Sequence, residues 1–211
     1  SGNVRSGKAF TQKDVWAWMD QQRTRGEAKE KQLDMLQIIC QRVCDELAEG
    51  NDKVLRSLPL MHLLHGGPGT GKSEVIKMVR SLFQEVCGWE QGLDFQIMAL
   101  QAVTAELLDG DTIHHALGIS PFTGRHDGQN AEKTSQRQAD VAKQVSQWRW
   151  IFVDEISMVS AKLLAEMDMK LRNMVSKLES LKANHNGVSR AFGGINILFV
   201  RDFCQLDPPS G

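Results

Sequence analysis

No stretch of this 211-residue chain is apolar for the roughly 20 residues that a membrane-crossing helix requires. The N-terminus also lacks the apolar core of a secretory signal, so no membrane partner is expected. Net charge is equally scarce: 25 Lys and Arg against 26 Asp and Glu leave −1. No global basic field advertises nucleic acid, and any such binding must come from a local groove. Only four cysteines occur (Cys40, Cys44, Cys87 and Cys204), with no C-x-x-C pair and no metal-ligand spacing to the six histidines. Cys40 and Cys44, four apart on a helix face, read as packed thiols rather than a zinc site, in a reducing compartment. What remains is ordinary globular composition, 41% hydrophobic and 24% charged, sufficient for one α/β domain with a core and an appendage. The chain begins Ser1-Gly2-Asn3 rather than with Met, as a fragment would.

Residues 1 to 10 are polar and expected to be disordered. Thr11 can cap a short helix to Gln22, with Asp14 three residues on. Trp16 and Trp18 cannot share one stripe of that helix; they dock it either onto the body or onto a partner. A long helix follows over Glu30 to Glu49, its stripe formed by Leu33, Leu36, Cys40, Val43 and Leu47. Further on, Phe95 to Leu100 reads as a strand, Ala102 to Leu108 as a short helix, and Asp111 to His115 as a new turn or helix. His114 and His115 are adjacent, so they point apart and suit hydrogen bonding better than a metal. Residues 120 to 147 look like a surface insertion, polar at first and helix-compatible from Ala131. Ser160 to Lys182 is a helix with Leu164, Met167, Leu171, Met174, Leu178 and Leu181 at helical spacing, its methionines read as core. Asn186-Gly187 marks a turn. Ile195 to Val200 is a further buried strand.

Two segments carry chemistry. Gly66-Gly67-Pro68-Gly69-Thr70-Gly71-Lys72-Ser73 fits G-x-x-x-x-G-K-[ST], the loop in which glycines let successive N–H groups turn inward and cradle phosphate oxygens. Lys72 is expected to reach the β- and γ-phosphates of ATP, and the Ser73 hydroxyl to hold Mg²⁺. A short buried strand, Leu60 to Leu64, precedes the loop. A helix, Ser73 to Val86, follows it and adds its N-terminal dipole. The second segment is Trp150-Ile151-Phe152-Val153 followed by Asp154-Glu155. Two acids at the C-terminal end of a buried parallel strand sit where α/β sheets bind ligands. Asp154 suits the Mg²⁺ shell, and Glu155 suits the base that orients and deprotonates an attacking water.

Together with Gly110-Asp111-Thr112-Ile113-His114 and Asp202-Phe203-Cys204-Gln205-Leu206-Asp207-Pro208-Pro209, these segments resemble the PIF-type (petite integration frequency) DNA helicases of superfamily one, which are close to RecD-like and Helitron-transposon helicases. The resemblance runs from about Lys31 to Pro209. It implies an α/β phosphate-loop domain of RecA-like type: three layers, a mostly parallel sheet with strands near 60–65, 95–100, 150–154 and 195–200, and helices on both faces. Residues 1–28 are then an N-terminal extension and 29–211 a first RecA-like lobe. By the same resemblance the chain serves ATP-dependent translocation on single-stranded DNA and duplex unwinding, in repair, recombination or telomere maintenance, in the nucleus or mitochondrion of a eukaryote. Gln32 looks like the adenine-reading glutamine and Gln205 like the γ-phosphate sensor. The segment Gln101 to His114, with Thr104, Thr112 and His114, looks like the single-strand-contacting motif. Gly67, Pro68, Gly69, Thr70 and Gly71 join Lys72 and Ser73 around the nucleotide.

Departures from the pattern are Gln101-Ala102 where the family has Thr-Gly, and Arg201 where it has glycine. Arg201 either adds a phosphate contact or crowds the site. A second RecA-like lobe, in cis or in trans, is expected to supply the arginine finger, worth roughly 10³ to 10⁵ in rate. The chain by itself is therefore expected to bind nucleotide better than it hydrolyses it. Two rivals stand beside this reading: a protein-remodelling phosphate-loop ATPase, and a nucleotide-binding remnant or interaction module without a second lobe.

Overall fold

The computed structural model describes residues 9–48, 58–119, 131–178, 184–185 and 188–202. Thr11 starts helix α1 (Gln12–Arg25) through a reciprocal capping box: the Asp14 N–H donates to the Thr11 hydroxyl, and the Thr11 N–H donates to the Asp14 carboxylate at 2.8 Å. The helix runs three residues beyond the expected end before Gly26 closes it at φ 69°. Trp18 is buried and Trp16 packs half-buried on the same core, so both tryptophans dock α1 onto the body. Helix α2 (Glu30–Ala48) lies beside it and buries Met35, Ile39 and Cys44 as well as Leu36, Cys40 and Val43, a wider face than the sequence stripe suggests.

Five parallel strands form one sheet in the order β1-β7-β4-β2-β3: β1 (Met61–Gly66), β2 (Phe95–Ala99), β3 (Asp111–Thr112), β4 (Trp150–Asp154) and β7 (Asn196–Asp202). A separate antiparallel pair consists of β5 (Asn184–His185) and β6 (Val188–Ser189). Between the strands lie α3 (Lys72–Ser81), α4 (Ala102–Leu107), α5 (Ile113–Ala116), α6 (Ala131–Gln147) and α7 (Ala161–Leu178).

Alternation along the strands divides the core into two layers. Trp150 and Phe152 of β4, with Leu198 and Val200 of β7, face α1, α2 and α3. Ile151 and Val153, with Ile197, face α5 and α7 on the other side. Both faces of the central strands are thus covered, which is why β4 reads as an unbroken apolar run. Strand β1 departs from the expected buried strand. Among the described residues it has one paired neighbour, β7, and Met61 and Leu63 are 49% and 44% exposed.

Helix α3 ends five residues earlier than expected, at Ser81, and passes into a π-turn over Leu82–Val86. That wider turn carries buried Phe83 into an aromatic cluster, its ring 5.2 Å from Phe95, 5.5 Å from Trp150 and 5.8 Å from Phe152. The expected stripe of α7 is buried at Met167 and Leu171, but at its flanks Leu163 and Val175 are buried while Leu164 and Met174 are half-buried; Met169 is 57% exposed, and Leu181 lies outside the described residues.

Before β7 the chain makes a left-handed turn, Phe192 (φ 49°), Gly193 (φ 66°) and Gly194 (φ 76°), held by a bond from the Phe192 N–H to the Asp168 carboxylate. A Cβ on Gly193 would meet the Leu171 carbonyl at 2.9 Å and the Val175 Cγ2 at 2.8 Å. Gly193→Ala is therefore expected to destabilise the fold by about 2–4 kcal/mol, combining left-handed strain with overpacking, as read by urea denaturation.

Candidate nucleotide site

The C-terminal ends of the parallel strands bring the two chemical segments to one edge. Gly66 at the end of β1 pairs with Asp202 of β7, and Val153 of β4 pairs with Phe199 on the other side of β7. The glycine loop and Asp154 therefore sit two strand spacings apart, about 10 Å. The last described residues of β7 emerge between them. Gln205 lies outside the described residues, as do residues 120–130 of the insertion and the Asn186-Gly187 turn.

Gly69 (φ 70°) and Gly71 (φ 80°) take the left-handed conformations that curl the loop. Gly71 is the N-cap of α3 and offers no side-chain cap, so that helix end presents backbone donors and dipole to an anion. The Lys72 ammonium sits inside the loop, donating to the carbonyls of Gly67 (2.7 Å) and Gly66 (3.1 Å) and to the Thr70 hydroxyl (3.3 Å). Its position is set by the loop itself. Ser73 follows, exposed, in the first turn of α3. Pro68 and Thr70 lie exposed on the rim, and the Thr70 hydroxyl donates to the Gly67 carbonyl at 2.9 Å.

Gln32, from α2, is 8% exposed and reaches the loop across 39 residues of sequence. Its amide N–H donates to the Gly71 carbonyl at 2.8 Å, while its oxygen accepts from the Lys29 N–H at 2.7 Å. Both ends of the amide are engaged, so in this geometry Gln32 braces the loop. A Cβ on Gly71 would strike that amide, which makes glycine necessary there twice over, for space and for φ.

Asp154 is buried at the end of β4, and its Oδ1 accepts from the Glu155 N–H at 2.9 Å. Glu155 itself stands at φ 53°, ψ 43°, a left-handed conformation that costs a non-glycine residue about 1–2 kcal/mol and recurs at functional sites. Its Oε2 accepts from the Thr104 hydroxyl of α4 at 3.1 Å. Nothing in the sequence signals that contact. The other DNA-contact candidates lie nearby on the chain. The Thr112 hydroxyl caps α5 by accepting from the His115 N–H at 3.2 Å, and His114 is half-buried in α5. His115 bonds to the Asp111 carboxylate, the hydrogen-bonding use expected of it.

Hard oxygen donors, a serine hydroxyl and a buried carboxylate, are what Mg²⁺ takes when substrate phosphates complete its shell. Among the described residues no group of three or more His, Cys, Asp and Glu forms an all-protein metal cage. Cys40, Cys44 and Cys87 are buried in the α1–α3 layer; burial pushes the Cys40 thiol up to about 12 and raises the other two, leaving neutral packing groups.

A parallel three-layer sheet with a glycine loop and an acidic pair at the same edge defines a RecA-like phosphate-loop domain. A family model described as PIF1-like helicase matches residues 41–210. The chain belongs to that family. It is 32% identical over 148 residues to the ATP-dependent DNA helicase PIF1 of Saccharomyces cerevisiae (strain YJM789), covering 69% of this chain and 15% of that protein. To the PIF1 helicase of Trypanosoma brucei brucei it is 27% identical over 173 residues, 79% of this chain and 16% of the relative. Among solved structures, the Bacteroides Pif1 helicase in complex with ADP-AlF3 and ssDNA superposes with a TM-score of 0.55 at 19% identity, over 87% of this chain and 34% of that one. The Candida albicans Pif1 helicase gives 0.51 at 24% identity, over 87% and 34%. The chain thus spans about one-sixth of the length of these curated relatives, and the solved structures show its fold.

Proposed function

We propose that this chain binds Mg-ATP in the loop Gly66–Ser73 and serves as the first RecA-like lobe of an ATP-dependent DNA helicase, coupling hydrolysis to movement along single-stranded DNA and to duplex unwinding. The observation that carries this reading is the Lys72 ammonium, held by three loop oxygens at the N-terminus of α3. Turned onto a phosphate chain, the same ammonium exchanges neutral carbonyl partners for anionic ones, which it binds more strongly. Ser73 and Asp154 would hold Mg²⁺, which when bound would supply charge neutralisation for the phosphates. Glu155 orients and deprotonates the attacking water, and Gln205 answers to the γ-phosphate. Thr112 and His114 contact the single strand. A second lobe contributes the arginine and the other half of the DNA groove.

The test is a Mg-ATP titration of this chain, followed by phosphate release with and without single-stranded DNA. Lys72→Ala is expected to weaken Mg-ATP binding about 100-fold, the loss of one charge-assisted anchor on a phosphate, with the melting temperature little changed. Binding that survives the substitution would sink the assignment of the loop. Mg-ATP binding without DNA-stimulated turnover in the parent chain would favour the nucleotide-binding module instead.

A further inference from the structure

We infer that Thr104 is a positioning residue that holds the Glu155 carboxylate on the α4 side of the sheet and yields it when single-stranded DNA engages α4. This rests on the reading of Glu155 as the water-activating base and of the Gln101–His114 segment as the DNA contact. Strand β4, which ends beneath Glu155, has β7 and then the loop-bearing β1 on one side, and β2 on the other. Helix α4 follows β2. The Thr104 hydroxyl therefore ties the carboxylate toward the flank opposite the phosphate loop.

Helix α4 is built to shift. It has six residues, of which only Ala105 is buried, while Val103 and Leu107 are 69% and 75% exposed. So short an element with so little apolar burial moves at small cost. Glu155, in turn, has its left-handed backbone tied by its N–H to the Asp154 carboxylate, while its carboxylate is tied separately by the Thr104 hydroxyl, so the side chain can be released without the backbone. A ligand that draws α4 away breaks the 3.1 Å bond and frees the carboxylate. By linkage, loss of the bond makes that ligand bind more tightly.

The test is a double-mutant cycle on this chain with Thr104→Val, which keeps the shape and removes the hydroxyl, and Glu155→Ala. Affinity for a labelled oligo-dT strand is read by fluorescence anisotropy, and phosphate release is followed with and without the strand. Thr104→Val and Glu155→Ala are each expected to tighten oligo-dT binding about fivefold, and the double variant no further. Thr104→Val should also raise DNA-free turnover several-fold and shrink DNA stimulation, while Thr104→Ser restores parent behaviour. Unchanged or additive affinities overturn the inference, as does a parent chain that binds Mg-ATP but not oligo-dT. If the affinity cycle holds while Glu155→Gln leaves turnover intact, the coupling stands and the role given to Glu155 in hydrolysis falls.

Discussion

Glu155→Gln is expected to lower phosphate release by this chain about 10²- to 10⁴-fold, the usual contribution of a positioned general base. Mg-ATP affinity should stay within about threefold, because the substitution removes an interaction needed only in the transition state. The geometry makes the comparison clean. Gln matches Glu in volume, its amide oxygen still accepts from the Thr104 hydroxyl, and the Asp154 carboxylate still holds the backbone N–H of position 155. Only the charge and the proton-accepting capacity are lost. Single-turnover phosphate release at saturating Mg-ATP is the measurement. Equal losses in binding and turnover would make Glu155 a structural member of the loop's surroundings, and an unchanged rate would remove it from the chemistry altogether.

Much of this site was legible because its parts are local. A loop of fixed spacing between a strand and a helix, and two acids at the end of an apolar strand, are patterns within ten residues of chain. The apolar run Trp150 to Val153 announced a strand covered on both faces, and β4 is one. What stayed hidden depends on contacts between distant segments. Gln32 was read for the chemistry of its amide, yet that amide grips Gly71, 39 residues away. Resemblance alone puts Thr104 in the DNA-contact motif, and no pattern in the sequence signals that its hydroxyl meets Glu155. The mostly apolar run Leu60 to Leu64 does not say whether its strand lies at the middle or at the margin of a sheet, so the expected burial of β1 exceeds what the structure shows. The π-turn after Ser81 and the left-handed Phe192 carry no periodic signal, since each is imposed by the packing around it.

Asn196 shows how far such long-range contacts matter, and its replacement should give the largest loss of stability. The residue opens β7 and is 1% exposed. Its side-chain oxygen accepts from the Arg42 Nε at 2.9 Å and from the Leu60 N–H at 2.8 Å, and its amide nitrogen donates to the Arg149 carbonyl at 3.0 Å and to the Glu46 carboxylate. Arg42 and Glu46 form an ion pair of 3.2 Å on α2, with both side chains less than a tenth exposed. One amide thus joins the entry to β1, the start of β7, the residue before β4 and a desolvated ion pair. Asn196→Ala removes four bonds and leaves each buried partner, among them the two charged ends of the ion pair, one hydrogen bond short. The expected cost is about 3–5 kcal/mol, the range for breaking a buried charged network by deleting one member. For a chain of this size that corresponds to a melting temperature lower by roughly 6–20 °C. Urea denaturation at constant pH and calorimetry together measure it. Asn196→Asp sharpens the result: it keeps the acceptor for Arg42 and Leu60 but turns a donor into a second carboxylate beside Glu46, so it should be no more stable than the alanine variant. A cost below about 1 kcal/mol for Asn196→Ala would mean that the ion pair resolvates locally, and that the backbone ladder and apolar packing align the strands bearing the nucleotide site without this network.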